Sequence, residues 1–212
     1  MFGIYEMIDI LKKYDIAYAS DFSRGMEDCA NVFEFKDRKS KLIFSAPHAT
    51  RTFVNNKEKL ADLYTGAIVQ YVGEVCDVSS IIRTKYVDYR VSIFDYVKEH
   101  KLCDHYFVDV HGFDKDIGYD VCLGIYKCNA EQCPYLSDIV EVIEKYGLKV
   151  IVNYPQYTGK GGFTKEFQEC VGKPNVIQME LKRYLRDFYK NPDVVEKITI
   201  PMMIEIANCY KK

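Results

Sequence analysis

Short apolar runs alternate along the chain with longer stretches in which apolar residues recur every three or four positions. Such runs predict buried strands, and the spaced stretches predict amphipathic helices. We predict strands at Val32–Lys36, Leu42–Ala46, Val78–Arg83, Tyr106–Val110, Asp120–Tyr126, Val150–Asn153 and Asn175–Glu180. We predict helices at Ile4–Tyr14, Lys59–Val75, Ser92–His100 and Leu136–Tyr146, and on at least one side of Pro201 within Asp193–Lys212. This alternation indicates a three-layer α/β/α fold around a mixed, largely parallel sheet.

The pattern runs through residues 1–212 without a linker or an internal repeat, which predicts a single domain. Because 48% of the residues are hydrophobic, the chain can bury a sizeable core, and disorder is excluded for most of it. The net charge is only −2, with lysine and arginine scattered along the chain. That distribution speaks against a nucleic-acid partner and favours a small-molecule or protein partner.

The N-terminal segment, Met1 to Tyr14, carries Glu6 and Asp9 and has no basic region before an apolar run, so a signal peptide is not expected. No stretch is long enough to span a bilayer. We therefore expect a cytoplasmic protein that has no membrane partner and whose cysteines are reduced. The closest pair, Cys128 and Cys133, is isolated, which favours ordinary thiols over a structural zinc site. The tyrosine-rich composition is equally compatible with a monomer and with a partner surface.

Polar groups follow three of the predicted strands. The chain has Ser45-Ala46-Pro47-His48 after one strand, Asp109-Val110-His111-Gly112 at the end of another, and Gln178-Met179-Glu180 in a late one. In open α/β sheets, ligands collect beyond the carboxyl ends of the strands. Two imidazoles and a carboxylate at one edge are typical of a catalytic metal site, which needs three protein ligands and one open position.

A third metal ligand is expected near His48. Asp62, fourteen residues later at the start of the predicted crossover helix, is the preferred candidate, and Glu58 is the competing one. Asp109 lies two positions before His111 and could orient that imidazole. Asp120 either contributes a polar contact near the metal or caps its own strand. A single histidine after a strand is usually an ordinary hydrogen-bonded residue, so the prediction depends on the combination.

Five short motifs occur in an order that resembles the N-formylglutamate amidohydrolase family, whose fold is similar to that of zinc carboxypeptidases. The resemblance covers residues from about Leu42 to Arg186. The motifs are Ser45-Ala46-Pro47-His48, Asp109-Val110-His111-Gly112, Tyr119-Asp120-Val121-Cys122-Leu123-Gly124, Asn153-Tyr154 with Gly161-Gly162-Phe163-Thr164, and Val176-Ile177-Gln178-Met179-Glu180-Leu181.

The resemblance implies one zinc ion held by His48, His111 and Asp62, with Glu180 as the general base. Sites of this composition also accept cobalt, manganese or iron. Arginine suits an oxyanion or a substrate carboxylate, and Tyr89-Arg90 falls where the family carries an Asn-Arg pair, which favours Arg90. The other residues expected to contact substrate are Arg51, Arg83, Asn153 and Gly162.

The chain departs from the family at Ala49-Thr50, at Tyr89 and in a shorter segment before Asp109. These changes alter the pocket more than the metal ligands. We therefore expect a zinc-dependent amidohydrolase that cleaves the amide bond of an N-acyl amino acid such as N-formylglutamate. The alternatives are a carboxypeptidase-like peptidase or deacylase acting on a short peptide, and a scaffold that binds a metal or ligand without catalysis.

Overall fold

A mixed β-sheet lies at the centre of the protein. The computed structural model describes residues 4–54 and 56–211. The elements in chain order are α1 (Ile4–Ser23), β1 (Phe33–Lys36), β2 (Leu42–Ala46), β3 (Thr52–Val54), β4 (Lys57–Lys59), α2 (Thr65–Cys76), β5 (Ser79–Arg83), α3 (Ile93–Glu99), β6 (Tyr106–Phe113), β7 (Val121–Gly124), α4 (Leu136–Lys145), β8 (Val150–Val152), α5 (Phe163–Val171), β9 (Val176–Lys182), α6 (Arg183–Arg186), α7 (Pro192–Val194) and α8 (Ile200–Cys209). A 3₁₀ turn at Ala130–Gln132 and a π-helical turn at Val195–Thr199 complete them.

Seven of the described strands pair in the order β1-β5-β2-β6-β9-β7-β8. The pairs β1–β5 and β7–β9 are antiparallel, and the other four neighbours are parallel. This is the mixed, largely parallel sheet that the sequence predicts. Strands β2, β6 and β9 lie side by side in the middle, so their carboxyl ends meet at one place on the edge of the sheet.

Two apolar clusters cover the two faces of the sheet. On one face α1, α2, α4 and α8 pack against side chains such as Phe44, Val108 and Met179. On the other face α3 and α5 pack against a smaller cluster that includes Phe107 and Val176. The sheet is therefore the middle layer of three, as predicted.

Side chains alternate between the faces along each central strand, because a strand has a period of two residues. On β2, Ile43 packs toward α3 and α5, so Ser45 points to that same face. The same alternation places further polar residues of β6 and β9 on the α3–α5 face: Asp109, His111, Gln178 and Glu180. The strand register sets Ser45 beside Asp109, and His111 beside Glu180. Polar positions of three strands are thus collected in one patch.

The start of the crossover helix differs from the prediction. Helix α2 begins at Thr65 rather than Lys59, and β3 pairs with β4 as a small antiparallel hairpin before it. Leu60, expected on the inward side, is 67% exposed. The prediction was wrong here because Leu60 and Leu63 imitate helical spacing, while the charged strand β4 shows no apolar alternation.

Three further differences concern the later part of the chain. Strand β6 continues to Phe113, so His111 lies inside the strand rather than just after it. Helix α5 was not predicted, although its buried residues Phe163, Thr164 and Phe167 have helical spacing. Pro201 lies in the first turn of α8, directly after the π-helical turn, and does not interrupt the helix.

Two sequence expectations concern the chain as a whole. No helix in residues 4–54 and 56–211 is long and apolar enough to cross a bilayer. No disulfide joins the cysteines of these residues.

Candidate active site

A cavity of about 690 Å³ opens on the α3–α5 face, where β2, β6 and β9 end. Its floor includes His48, Asp109, His111, Gln178 and Glu180. One wall is the β3–β4 hairpin, and the opposite wall is the glycine-rich turn at 159–162 that leads into α5. The structure therefore brings together the polar groups that follow three separate strands in the sequence.

The imidazole of His111 lies between two carboxylates. Its Nε2 is 2.8 Å from Asp109 Oδ2, and its Nδ1 is 3.2 Å from Asp62 Oδ2. The other oxygen of Asp109 accepts a hydrogen bond of 2.5 Å from the hydroxyl of Ser45. Burial alone would lower the pKa of His111, but the charge of Asp109 and the hydrogen bonds that the ring donates to both carboxylates outweigh it and raise the pKa to about 10.

His48 faces His111 across the cavity floor, with ring centroids 5.0 Å apart. Its Nδ1 lies 3.2 Å from the hydroxyl of Thr52 at the start of the hairpin. Burial lowers the pKa of His48 well below its usual value, so this imidazole is neutral. The backbone N–H of Asp62 donates to the carbonyl of His48 at 2.8 Å, which ties the loop before α2 to this end of β2.

Glu180 is only 6% exposed and lies beside His111 in the strand register. The amide of Gln178 donates a hydrogen bond of 2.7 Å to its Oε1. Burial raises the pKa of Glu180, although the charge of His111 opposes the shift. A carboxylate with a raised pKa at the floor of a cavity is suited to accept a proton near neutral pH.

The donor set of the cavity floor suits zinc in its chemistry. Two imidazoles and a carboxylate are common zinc ligands, and the 3.2 Å between His111 Nδ1 and Asp62 Oδ2 suits two ligands of one ion. Asp109 on the far nitrogen of His111 is the kind of partner that orients a metal-bound imidazole. Within the described residues, however, no three His, Cys, Asp or Glu side chains are arranged so that they could hold a metal ion as they stand, so the fit to zinc is one of residue chemistry. The competing Glu58 is paired instead with Arg24 and Arg51.

The three candidate arginines have different surroundings. Arg83 is buried beside the cavity, donates to the carbonyls of Pro47 and Val91 at 2.9 Å each, and has a pKa that burial lowers to about 10. Arg90 lines the cavity as well, 72% exposed, and pairs with Glu166 of α5 at 2.5 Å. Arg51 does not line the cavity, and its guanidinium pairs with Glu58 and bonds to a backbone carbonyl.

Of the remaining predicted site residues, one lines the cavity and the others form hydrogen bonds within the fold. Gly162 lines the cavity at the start of α5. Asn153 uses its side-chain amide to bind the backbone of Ile125 and Tyr126, at 2.9 and 3.2 Å, and does not line the cavity. Asp120, directly before β7, accepts a hydrogen bond of 2.9 Å from the backbone N–H of Lys149, directly before β8, and does not line the cavity.

Several polar residues of the cavity escaped the sequence analysis. Gln178 could have been found, because it lies two positions before Glu180 on the same strand. Ser45, which bonds to Asp109, is brought to the site by the pairing of β2 with β6. Thr52, Lys59 and Glu166 come from the hairpin and from α5, which were not predicted.

Known structures share this fold. An N-formylglutamate amidohydrolase from Ralstonia eutropha JMP134 superposes with a TM-score of 0.58 at 13% identity, over 84% of this chain and 98% of that one. A bacteriophage poly-γ-glutamate hydrolase superposes with a TM-score of 0.54 at 15% identity, over 87% and 89%. For a gene product of Agrobacterium tumefaciens the values are 0.53 and 9%, over 84% and 94%.

No family model matches the sequence, and no curated protein matches it. At such low identities the structural likeness concerns the fold. It confirms, at that level, the resemblance to N-formylglutamate amidohydrolases and the three-layer α/β/α fold that the sequence predicted.

Proposed function

We propose that this protein is a metal-dependent amidohydrolase, with zinc as the natural ion and an N-acyl amino acid as the substrate. The observation that carries the proposal is the meeting of His48, His111 and Glu180 at the floor of one cavity, with Asp62 in contact with His111 directly behind it. Two of the known structures with this fold are, by name, hydrolases of glutamate-containing amides.

Three residues would hold the metal: His48, Asp62 and His111. A zinc ion bound there supplies Lewis acidity to water and to the scissile carbonyl. Asp109 keeps the ring of His111 in place through Nε2, which leaves Nδ1 directed toward Asp62. Ser45 fixes Asp109 in turn, so the orientation of His111 depends on a chain of buried hydrogen bonds.

Glu180 manages the proton in this proposal. Its buried carboxylate has a raised pKa, so it can accept a proton from the attacking water and then return that proton to the leaving nitrogen. Gln178 orients the carboxylate by its hydrogen bond to Oε1. Because Asp109 uses one oxygen for Ser45 and the other for His111, it is poorly placed to serve as the base.

The walls of the cavity would select the substrate. Arg83 and Arg90 bring guanidinium groups to one side, where a carboxylate or a developing oxyanion can be bound. The glycines at 159–162 let the backbone approach the substrate closely on the opposite side. An N-acyl amino acid such as N-formylglutamate offers both an amide to cleave and a carboxylate to recognise.

The test begins with the metal content of the purified protein, measured by elemental analysis on wild type, His48→Ala and His111→Ala. We expect close to one zinc per chain in the wild type and a loss in both variants, with no change in the control His100→Ala, an exposed histidine stacked on Tyr96. The same samples are assayed for hydrolysis of a panel of N-acyl amino acids.

Glu180→Gln separates metal binding from proton transfer. The amide keeps the shape of the side chain but cannot accept a proton, so we expect zinc to be retained and kcat to fall about 10²- to 10⁴-fold. Wild-type protein that stays metal-free after incubation with zinc, or that hydrolyses the substrates equally well after chelation, contradicts the proposal.

A further inference from the structure

Arg186 of α6 is the largest fully buried side chain of the described residues, at 2% exposure. A buried guanidinium costs free energy unless its donors are satisfied. Burial lowers the pKa of Arg186, while the nearby Asp114 opposes the shift. A charged group in this place therefore needs strong local partners.

The partners of Arg186 are backbone carbonyls from three separate segments. Its Nη1 donates to Leu63 at 2.7 Å, its Nε to Leu181 at 3.2 Å, and its Nη2 to Phe113 at 3.4 Å. Nη2 also pairs with the carboxylate of Asp114 at 2.6 Å. One rigid guanidinium thus joins the loop before α2, strand β6 and strand β9.

Each of these carbonyls lies next to a residue of the candidate active site. Leu63 follows Asp62 directly, Leu181 follows Glu180 directly, and Phe113 lies two residues after His111. In a parallel pair such as β6–β9, hydrogen bonds between the strands already fix His111 beside Glu180. The loop that carries Asp62 is not part of the sheet. The backbone N–H of Asp62 ties this loop to His48 after β2, and Arg186 ties its next residue to β6 and β9.

Gly112 gives Arg186 access to the strand. A Cβ atom at this position would lie 2.3 Å from Cζ and Nε of Arg186, so any other residue here would displace the guanidinium from its place. The guanidinium therefore lies against the backbone of β6 immediately after His111. This explains why a glycine follows the histidine in the Asp-Val-His-Gly motif.

We propose that Arg186 is a positioning residue that holds the loop of Asp62 at its distance from His111 and Glu180. The inference rests on the proposed function in that these residues are its working groups. Arg186 does not line the cavity, so it acts through the backbone rather than on the substrate. A lysine would keep the charge but would lose the planar fork that serves three carbonyls at once.

The test compares Arg186→Lys with Arg183→Lys. Arg183 lies on the same helix and contacts Asp114, Asp187 and the ring of Tyr64. Among the described residues its guanidinium does not bond to the three carbonyls, so Arg183→Lys controls for the loss of an arginine on α6. The first readout is a crystal structure of each metal-free variant. We expect the 3.2 Å contact between Asp62 and His111 to be lost in Arg186→Lys and kept in Arg183→Lys.

The second readout is zinc affinity, measured by competition with a chelator. We expect Arg186→Lys to bind zinc about 10- to 100-fold more weakly, as is typical when a residue that orients metal ligands is changed. In the hydrolysis assay we expect kcat to fall while KM changes little, because the cavity walls are untouched. The control variant should match the wild type in each measurement.

Wild type that neither binds zinc nor hydrolyses any substrate would contradict the proposed function, while the crystal structures would still decide the role of Arg186. If Arg186→Lys does not fold, Asp114→Ala replaces it, since loss of this half-exposed partner loosens the guanidinium without removing it. An unchanged contact between Asp62 and His111 in whichever variant folds overturns the positioning role.

Discussion

At the scale of single residues, Asp109 shows how completely the buried polar groups are used. One oxygen accepts from Ser45 and the other faces His111, and the carboxylate is 1% exposed. Unpaired buried carboxylates are costly, so such groups usually have several partners. The arrangement accounts for a carboxylate that holds the imidazole of His111 in place.

Asp15 on α1 is a buried carboxylate with weaker compensation. It is 4% exposed, and burial raises its pKa to about 6 despite a hydrogen bond with Tyr189. Its pKa in the unfolded chain is lower, so between about pH 4 and pH 6 the folded protein binds the extra proton. Above about pH 6 the buried charge of Asp15 therefore lowers the free energy of unfolding by its full amount. As the pH falls through 6 the carboxylate is protonated, and the free energy of unfolding increases.

We predict that Asp15→Asn stabilises the protein at pH 7.5 by on the order of 2 kcal/mol, because the amide avoids the cost of a buried charge. Below about pH 4 the variant should match the wild type, since both side chains are then neutral. Urea unfolding at several pH values measures the difference. Asp9→Asn, at an exposed position of the same helix, is the control. A pH-independent difference for Asp15→Asn contradicts the assignment.

At the scale of elements, the central strands could be predicted from the sequence, and the elements that form the cavity walls could not. Strand β2 was predicted with its observed bounds, because buried parallel strands are continuous apolar runs. The hairpin of β3 and β4 carries Lys57, Glu58 and Lys59, whose charges conceal any alternation. Its turn residue Asn56 has a φ of 59°, which is a left-handed conformation. Asparagine tolerates this conformation, but an asparagine in a sequence does not by itself predict it.

The residues of the candidate site likewise divide into those that could be predicted from the sequence and those that could not. The residues of the cavity floor stand at strand ends, so His48, His111 and Glu180 could be selected by position and residue type. Glu166 and Thr52 depend on contacts between elements far apart in the chain. Such contacts are set by tertiary packing, which a local pattern does not record.

The contact between α5 and the N-terminal end of α3 yields a prediction about substrate binding. Glu166 neutralises Arg90 and accepts a hydrogen bond of 3.0 Å from Ser92, the N-cap residue of α3. Glu166→Gln keeps an acceptor for Ser92 but frees the charge of Arg90. For an acidic N-acyl amino acid we expect KM to fall about two- to fivefold with little change in kcat, since exposed ion pairs are worth up to about 1 kcal/mol.

Steady-state kinetics with an acidic and a neutral substrate measure this effect. The neutral substrate should show no change, because it has no carboxylate for Arg90 to bind. Glu169→Gln is a suitable control, since Glu169 lies on the same helix but contacts Tyr126 and Lys127 instead. A lower KM for both substrates would show that Glu166 acts by another route than the charge of Arg90.

At the scale of the whole molecule, the two faces of the sheet differ in thickness. Four helices cover one face, whereas the face that bears the cavity depends on α3, α5 and a small aromatic cluster. In this cluster Phe107 packs edge-on against Phe163 and Phe167, with ring centroids 5.0 and 5.7 Å apart. The floor of the cavity therefore lies directly above the smaller of the two cores.

We predict that Phe107→Ala lowers the free energy of unfolding by about 3–5 kcal/mol, because it leaves a cavity where little backbone can collapse. Phe22→Ala, at a side chain that is 83% exposed, should change it by no more than about 0.5 kcal/mol. Urea unfolding followed by far-UV circular dichroism compares the two variants. A small loss for Phe107→Ala would indicate that α5 contributes little to the stability of this face.

The hairpin at 52–59 and the turn at 159–162 have a consequence for how such a protein can change. Both line the cavity, yet Phe53, Val54 and Lys160 belong to neither hydrophobic cluster. The groups proposed for chemistry stand on the sheet edge, while the surfaces that meet the rest of the substrate stand on peripheral loops. Substitutions in these loops can therefore change which substrates bind while altering the free energy of unfolding little. The loops are the natural targets of a library for directed evolution.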